Sequence, residues 1–475
     1  MARYIGLDLG TTSITGLVLD TESRRVLAKE SVANETEVTS PKNQAKLRSE
    51  WDIDRMVQLA FQLLASLVER AGAASVSGLG VTGQMHGMVL LDTKGAPCSP
   101  FIGWQDRRCH EQLPGGQTYI SRIMDVGGDG FAKTGCRPAT GYMASTLFWL
   151  AQNDVLPANT SACFAPDYLV SRLCENRAVT DATNAAGAGV FNLIEGHWAR
   201  EVVEALGLQL EHLPKVRPSC EKAGQITAAV SQLTGLPSGL PVPVACGDNQ
   251  ASFAGSVADY AQSVLVNIGT GGQISVFLED ALLADALDLR PFLQSGFLLV
   301  GAGLCGGRSY RALRDFIRQV GEQIFGLSHT PDLYESLNRL AAPISPGADG
   351  LRCEPIFAGS RREPERRGFW AGMSETNFTV GHMARALLEG LAEQFSVFYE
   401  EMRDLGVNPR RRLVGSGNGI RKNPLLRQIL AASFSSSVAV ARHTEEAAVG
   451  AALGAAVAVG EFENIQAASR GFIQY

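Results

Sequence analysis

The chain has no C-x-x-C pair, no long run of lysine and arginine, no low-complexity linker and no apolar stretch long enough to cross a bilayer. Its nine cysteines (Cys98, Cys109, Cys136, Cys163, Cys174, Cys220, Cys246, Cys305 and Cys353) are scattered and odd in number. That argues against a zinc ribbon or a disulfide framework and fits reduced thiols in the cytoplasm. With a net charge of −6 and no long basic run, nucleic acid is not an expected partner. The longest apolar stretch, Ala447 to Gly460, is rich in alanine and glycine and bounded by Glu446 and Glu461. As a helix it would reach about 21 Å at ~1.5 Å per residue, short of the ~30 Å hydrocarbon core. It reads as a buried helix, and no membrane is expected. The N-terminus enters a strand at once, so no signal peptide is expected either.

What is present suits a globular protein, with 45% apolar and 19% charged residues. At 475 residues the chain is too long for one core. The Pro/Gly cluster from Leu236 to Pro243 marks the best boundary, giving expected domains at 1–241 and 242–475. A strand near Val26 to Val32 is followed by a helix that Asp52 can cap. Its apolar residues Ile53, Met56, Val57, Ala60, Leu63, Leu64, Leu67 and Val68 recur at three and four. The strand Val76 to Thr82 then completes an α/β order. Further helices are expected at Ala144 to Gln152, Ala165 to Cys174 and Thr379 to Leu405.

A Gly-Thr turn between two apolar strands occurs twice, at Gly10-Thr11-Thr12-Ser13 and at Gly269-Thr270-Gly271. Each is the pattern of a hairpin whose tip offers backbone N–H groups and hydroxyls. One such turn is an ordinary tight turn. Two imply a pair of like domains gripping one polyphosphate across a cleft. A carboxylate beside a phosphate loop would repel the anion without an intervening cation, so Asp8 implies Mg²⁺ bound largely through water. Asn267 takes the equivalent place in the second hairpin, which faces phosphate alone.

Other runs carry groups suited to a polyhydroxylated ligand. Gln84, Met85 and His86 follow a strand directly, where α/β proteins hold ligand-contacting groups. Trp104 and Asp106 pair an indole face with a carboxylate, a common way to bind a sugar, although a loop ion pair reads the same way. Asp248, Asn249 and Gln250 end the strand Val242 to Cys246; Asp248 is either a helix cap or a base that takes a proton from an attacking hydroxyl. The run Val414 to Leu425 puts a glycine-rich turn between a strand and a helix; such a turn lets a flat ring approach the backbone and is a candidate adenosine site.

Taken together, these runs resemble the FGGY carbohydrate kinases of the actin, heat-shock ATPase and hexokinase superfamily. The matches are Asp8 to Thr12, Gly83 to Gly87, Trp104 to Arg108, Gly247 to Asn249, Gly269 to Gly271, Arg366 to Gly368, Gly415 to Leu425 and Glu445 to Ala452, in family order. The resemblance implies two ribonuclease-H-like α/β domains and transfer of the ATP γ-phosphate to a sugar hydroxyl. It implies that Asp8 helps hold Mg²⁺, that Thr11, Thr12 and Thr270 contact phosphates, and that Asp248 is the base. Met85, His86, Asp106 and Asn249 would line the sugar site, and Gly417 and Asn418 would lie near adenosine, with Asn423 supporting that turn. Gln84 to Gly87 look like a ketose kinase. Trp104-Gln105-Asp106, Gly247 to Gln250, Gly359-Ser360-Arg361 and Gly415 to Asn418 look closer to sedoheptulokinases than to xylulokinases, which remain the alternative. Gly271-Gly272 stands where relatives often carry serine. A chaperone or filament protein of the same superfamily, and a sugar-binding regulator without catalysis, are the rivals from other classes. A homodimer is compatible with the chain, whose oligomeric state the sequence does not fix.

Overall fold

The computed structural model describes residues 3–72, 76–329, 332–357, 359 and 365–475. Ser360 and Arg361, part of one expected match, lie outside them. The chain forms two compact units. One comprises the residues up to Asp259 with Leu278–Leu298 and Arg442–Gln474; the other comprises Tyr260–Phe277 and Leu299–Ala441 with Tyr475.

The first unit opens with β1 (Arg3–Leu9), β2 (Ser13–Asp20), β3 (Arg25–Ala33), α1 (Ile53–Ala71) and β4 (Val76–Gly83). It later adds β5 (Cys246–Gly247) and α2 (Asp248–Ala254), giving the sheet order β5-β4-β1-β2-β3. β1 and β2 pair antiparallel up to Leu9↔Ile14, so their tip is Gly10 to Thr12. β1, β4 and β5 are parallel, with Asp8, Thr82 and Cys246 in one row. Asp52 caps α1 by accepting from Arg55 N at 2.9 Å, and Met56, Ala60, Leu63, Leu64 and Leu67 are buried in the core with β1 and β2. β5 and α2 were expected beyond the boundary. They fold in the first unit because β5 pairs with β4, which lies far back in the sequence.

The second unit holds β6 (Ser263–Ile268), β7 (Gly271–Leu278), β8 (Phe297–Cys305), α3 (Gly307–Phe325), α4 (Val380–Asp404), β9 (Arg412–Ser416) and β10 (Val438–Val440). Its strands follow the order β8-β7-β6-β9-β10. β6 and β7 form the second hairpin, and β9 lies parallel to β6 with Asn267 opposite Ser416. On α4 the residues Leu387, Leu388, Leu391, Phe395 and Met402 are buried, as their spacing predicts.

The chain then returns to the first unit with α5 (Glu446–Ala458), in which every residue from Ala447 to Val457 is buried. A helix apolar all round must sit in a core. Its backbone packs directly on the sheet: a Cβ on Gly6 of β1 would lie 1.8 Å from Ala448 O, and one on Gly80 of β4 1.9 Å from Ala451 O. Among the described residues no helix is long and apolar enough to cross a membrane.

Candidate active site

Two carboxylates stand at the C-terminal ends of strands that flank β4. Asp8 is near the end of β1, and Asp248 follows β5 directly as the first residue of α2. The helix cap is Gly247, not Asp248, so capping does not explain this carboxylate; its Oδ1 accepts from Asn249 N at 2.7 Å. Burial raises the Asp248 pKa to about 6, against the pull of the Asn249 N–H and the Arg290 charge. Burial, then the charges of Asp248 and Glu445, raise Asp8 to about 7. Two carboxylates in one low-dielectric site hold protons tightly unless a cation arrives. Asp8 Oδ1 is buried and has no hydrogen-bond partner. This orphaned oxygen fits a water-clad Mg²⁺, which needs only one or two carboxylates when phosphates supply the rest. Among the described residues no three His, Cys, Asp or Glu side chains converge on a metal.

Asp248 is held from below by groups that local sequence reading does not reveal. Gly247 N donates to Thr183 Oγ1 at 2.8 Å, and Thr183 in turn donates to Asp181 Oδ1 at 2.6 Å. Ser219 donates to the other Asp181 oxygen at 2.5 Å. Asp181, Thr183 and the neighbouring Asn184 are all fully buried. Burial lifts the Asp181 pKa to about 6, while the Ser219 and Thr183 hydroxyls pull it down. Thr183→Val keeps the shape but strands the Gly247 N–H and leaves Asp181 Oδ1 with only the Asn184 N–H, 3.0 Å away. The expected cost is about 1–3 kcal/mol of unfolding free energy, read from the urea midpoint. An unchanged midpoint would mean that the chain of hydrogen bonds carries no stability.

Between the two carboxylates, β4 delivers Gln84, Met85 and His86, all buried. His86 stacks on Tyr142 at 4.1 Å, and its Nδ1 lies 2.9 Å from Gly187 O. A carbonyl only accepts, so Nδ1 carries the proton, which fixes the neutral tautomer. Met85 packs beside Gly187 so closely that a Cβ there would lie 1.9 Å from Met85 O. Gln84 Nε2, Gln250 Oε1 and Asn184 Oδ1 are further buried atoms without a partner. Unpaired buried polar atoms are costly, so their gathering around this run calls for an explanation.

The Trp104 loop joins the first hairpin to this run. Trp104, 41% exposed, donates from Nε1 to Thr11 Oγ1 at 2.9 Å, and Thr11 reaches Gln84 Oε1 at 3.5 Å. Asp106 does not face open space. It is fully buried, with Oδ1 accepting from Arg108 N at 2.9 Å and Arg108 Nε at 2.8 Å, and Oδ2 from Ser49 N at 2.8 Å and Arg108 Nη2 at 3.0 Å. Four donors fill the lone pairs of a carboxylate. Of the two readings open in the sequence, the ion pair within the loop describes this geometry; the residue shapes the loop that presents Trp104.

In the second unit, Gly269, Thr270 and Gly271 are exposed at the hairpin tip. The carbonyls of Gly269 and Thr270 accept from Gly307 N at 2.9 Å and Arg308 N at 3.0 Å, which anchors the tip to the start of α3. Gly417 has φ 82, and a Cβ on it would lie 2.5 Å from Ile268 O. The glycine-rich turn therefore packs on the root of that hairpin. Asn418 is exposed beside it, while Asn423 is buried and caps the next helix by accepting from Leu426 N at 3.0 Å.

Arg290, which no sequence motif marked, belongs to the first-unit group. Its Nη1 lies 3.8 Å from Met85 Sδ, its Nη2 pairs with Asp288 Oδ2 at 2.9 Å, and its charge acts on Asp248.

Residues 3–255 match the profile of the FGGY family of carbohydrate kinases, N-terminal domain, and residues 266–459 match that of its C-terminal domain. A xylulose kinase of Haemophilus influenzae is 27% identical, covering 97% of this chain and 91% of its own. A human sedoheptulokinase is also 27% identical, covering 94% and 96%. The crystal structure of xylulose kinase from Rhodospirillum rubrum superposes with a TM-score of 0.86 at 28% identity, over 99% of this chain and 93% of that one.

Proposed function

Because the chain belongs to the FGGY family of carbohydrate kinases, a phosphotransferase family, we propose that it transfers the γ-phosphate of ATP to the terminal hydroxyl of a ketose, sedoheptulose, giving the 7-phosphate. The observation that carries the transfer is the pair Asp8 and Asp248 on strand ends flanking the Gln84 to His86 run. Asp248 accepts the proton of the attacking hydroxyl. The new bond forms between that oxygen and the γ-phosphorus, the bond to the β-phosphate oxygen breaks, and ADP leaves. Asp8 would hold Mg²⁺ through water; when bound, the ion supplies positive charge to the phosphates. Gly10, Thr11, Thr12 and Ser13 offer donors to phosphate, as do Thr270 and Gly271, while Gly269 shapes that tip by donating its N–H to Gly271 O at 3.0 Å; Gly417 and Asn418 border adenosine with Asn423 supporting the turn.

Gln84, Met85, His86, Trp104 and Asn249 contact the sugar in this reading, and Asp106 acts by holding the Trp104 loop. The seven-carbon substrate is supported by Trp104-Gln105-Asp106, Gly247-Asp248-Asn249-Gln250 and Gly415-Ser416-Gly417-Asn418. A second reading, D-xylulose to its 5-phosphate, is supported by the likeness to xylulose kinases. ADP release should be compared across sedoheptulose, xylulose, ribulose and glycerol. The expected order has sedoheptulose first in kcat/KM. Xylulose first would move the assignment to the pentulose, and sugar-independent or absent turnover would favour the chaperone-like or regulatory rival. The cytoplasm is the proposed compartment.

A further inference from the structure

We propose that Arg290 binds a ketose oxygen and so acts as a substrate-selecting residue, an inference that rests on the sugar-kinase reading above. Arg290 lies on the strand Asp288–Pro291, and its side chain is only 3% exposed. A buried guanidinium brings five N–H donors out of water, and such a group is stable only when its donors are used. Here Nη2 is taken by Asp288, whereas Nη1 faces the thioether of Met85 at 3.8 Å. A thioether is a weak acceptor, so this edge of the fork keeps strong donor capacity beside the Gln84 to His86 run.

The strand is held rigidly against the base. Pro291 O accepts from Gln250 Nε2 at 3.0 Å, on the helix that Asp248 opens, and Leu289 N donates to Gly135 O at 2.7 Å. Met85 Cβ, in turn, would be 3.3 Å from a Cβ on Gly247. Arg290, Met85 and the Gly247-Asp248 step therefore form one packed group. The ligand chemistry follows from charge. Asp288 already neutralises the guanidinium, and the Asp248 carboxylate also interacts with its charge, so the unused edge suits an uncharged carbonyl or hydroxyl oxygen better than a sugar carboxylate.

The test compares Arg290→Met, Arg290→Lys and Asp288→Asn in the full-length chain, with KM for ketose and for ATP measured separately. Arg290→Met is expected to raise the ketose KM by about 10- to 100-fold, the worth of a hydrogen bond from a charged donor. The ATP KM should stay within about twofold by the same argument, because Arg290 makes no use of nucleotide. Arg290→Lys, a charge without the planar fork, should fall between. Asp288→Asn should lower the melting temperature while leaving the ketose KM close to wild type. A ketose KM unchanged in Arg290→Met, with a stability loss matching Asp288→Asn, would reduce Arg290 to a buried ion pair and overturn the proposal. If Arg290→Met does not fold, a wild-type ketose KM in Arg290→Lys overturns it equally. Should the wild-type protein turn over no sugar, the kinase reading fails. The inference about Arg290 is then judged separately, by whether ketose raises the melting temperature of wild type by more than that of Arg290→Lys; equal shifts overturn it.

Discussion

Asp248→Asn is expected to bind ADP as wild type does and to melt at a similar or higher temperature, while kcat for ketose phosphorylation falls by about 10²- to 10⁴-fold, the usual worth of a general base. The substitution keeps the size of the side chain and an oxygen for the Asn249 N–H, now 2.7 Å away. It removes the negative charge that raises the proton affinity of Asp8. An amide cannot take the hydroxyl proton, so the loss should appear in kcat more than in either KM. Steady-state ADP release, with nucleotide binding followed by calorimetry, separates the two effects. Near-normal turnover would remove Asp248 from the chemistry and return it to the first turn of a helix.

The second large effect is on stability. Gly80→Ala is expected to cost about 3 kcal/mol or more, at the upper end of what overpacking does to a well-packed core. The added methyl would meet Ala451 O at 1.9 Å, a backbone atom of a buried helix that cannot swing aside. Gly454→Ala, on the same helix, is the control. Its nearest neighbour is Cys220 Sγ at 3.7 Å, so the substitution should be neutral or gain up to about 1 kcal/mol from helix propensity. Urea unfolding of both variants gives the comparison, and equal midpoints would contradict the contact described between α5 and β4. Because Gly6 and Gly80 lie on the strands that lead to Asp8 and Gln84, a displaced α5 should also lower activity.

Much of this arrangement is legible in the chain because it is local. The hairpin at Gly10 to Ser13 joins neighbouring strands, and the spacing of Met56, Ala60, Leu63 and Leu67 needs only one helix. The parts that escape are those set by distant pairing. Nothing near Cys246 says that it lies opposite Thr82, so the Pro/Gly cluster at Leu236 to Pro243 reads as a domain boundary although the same unit continues beyond it. Asp106 reads equally well as a sugar ligand or a loop ion pair until Ser49 N, far back in the sequence, supplies the fourth hydrogen bond. Arg290 carries no motif at all. Its sole local sign is a charged residue in the short apolar run Leu289 to Leu293, and such residues are common at surfaces.

The return of the chain to its first unit also sets an order of events during synthesis. β1, β2 and β4 are made early, yet the helix that covers Gly6 and Gly80 is made near residue 450. Until α5 leaves the ribosome, that sheet face has no partner, and closing so long a loop is slow. Tyr260–Phe277 and Leu299–Ala441, by contrast, are complete beforehand and can collapse while the first unit waits. Nascent chains stalled before Arg442 should therefore expose an apolar sheet to chaperones. Truncation there would leave both aspartates on strands whose core was never filled.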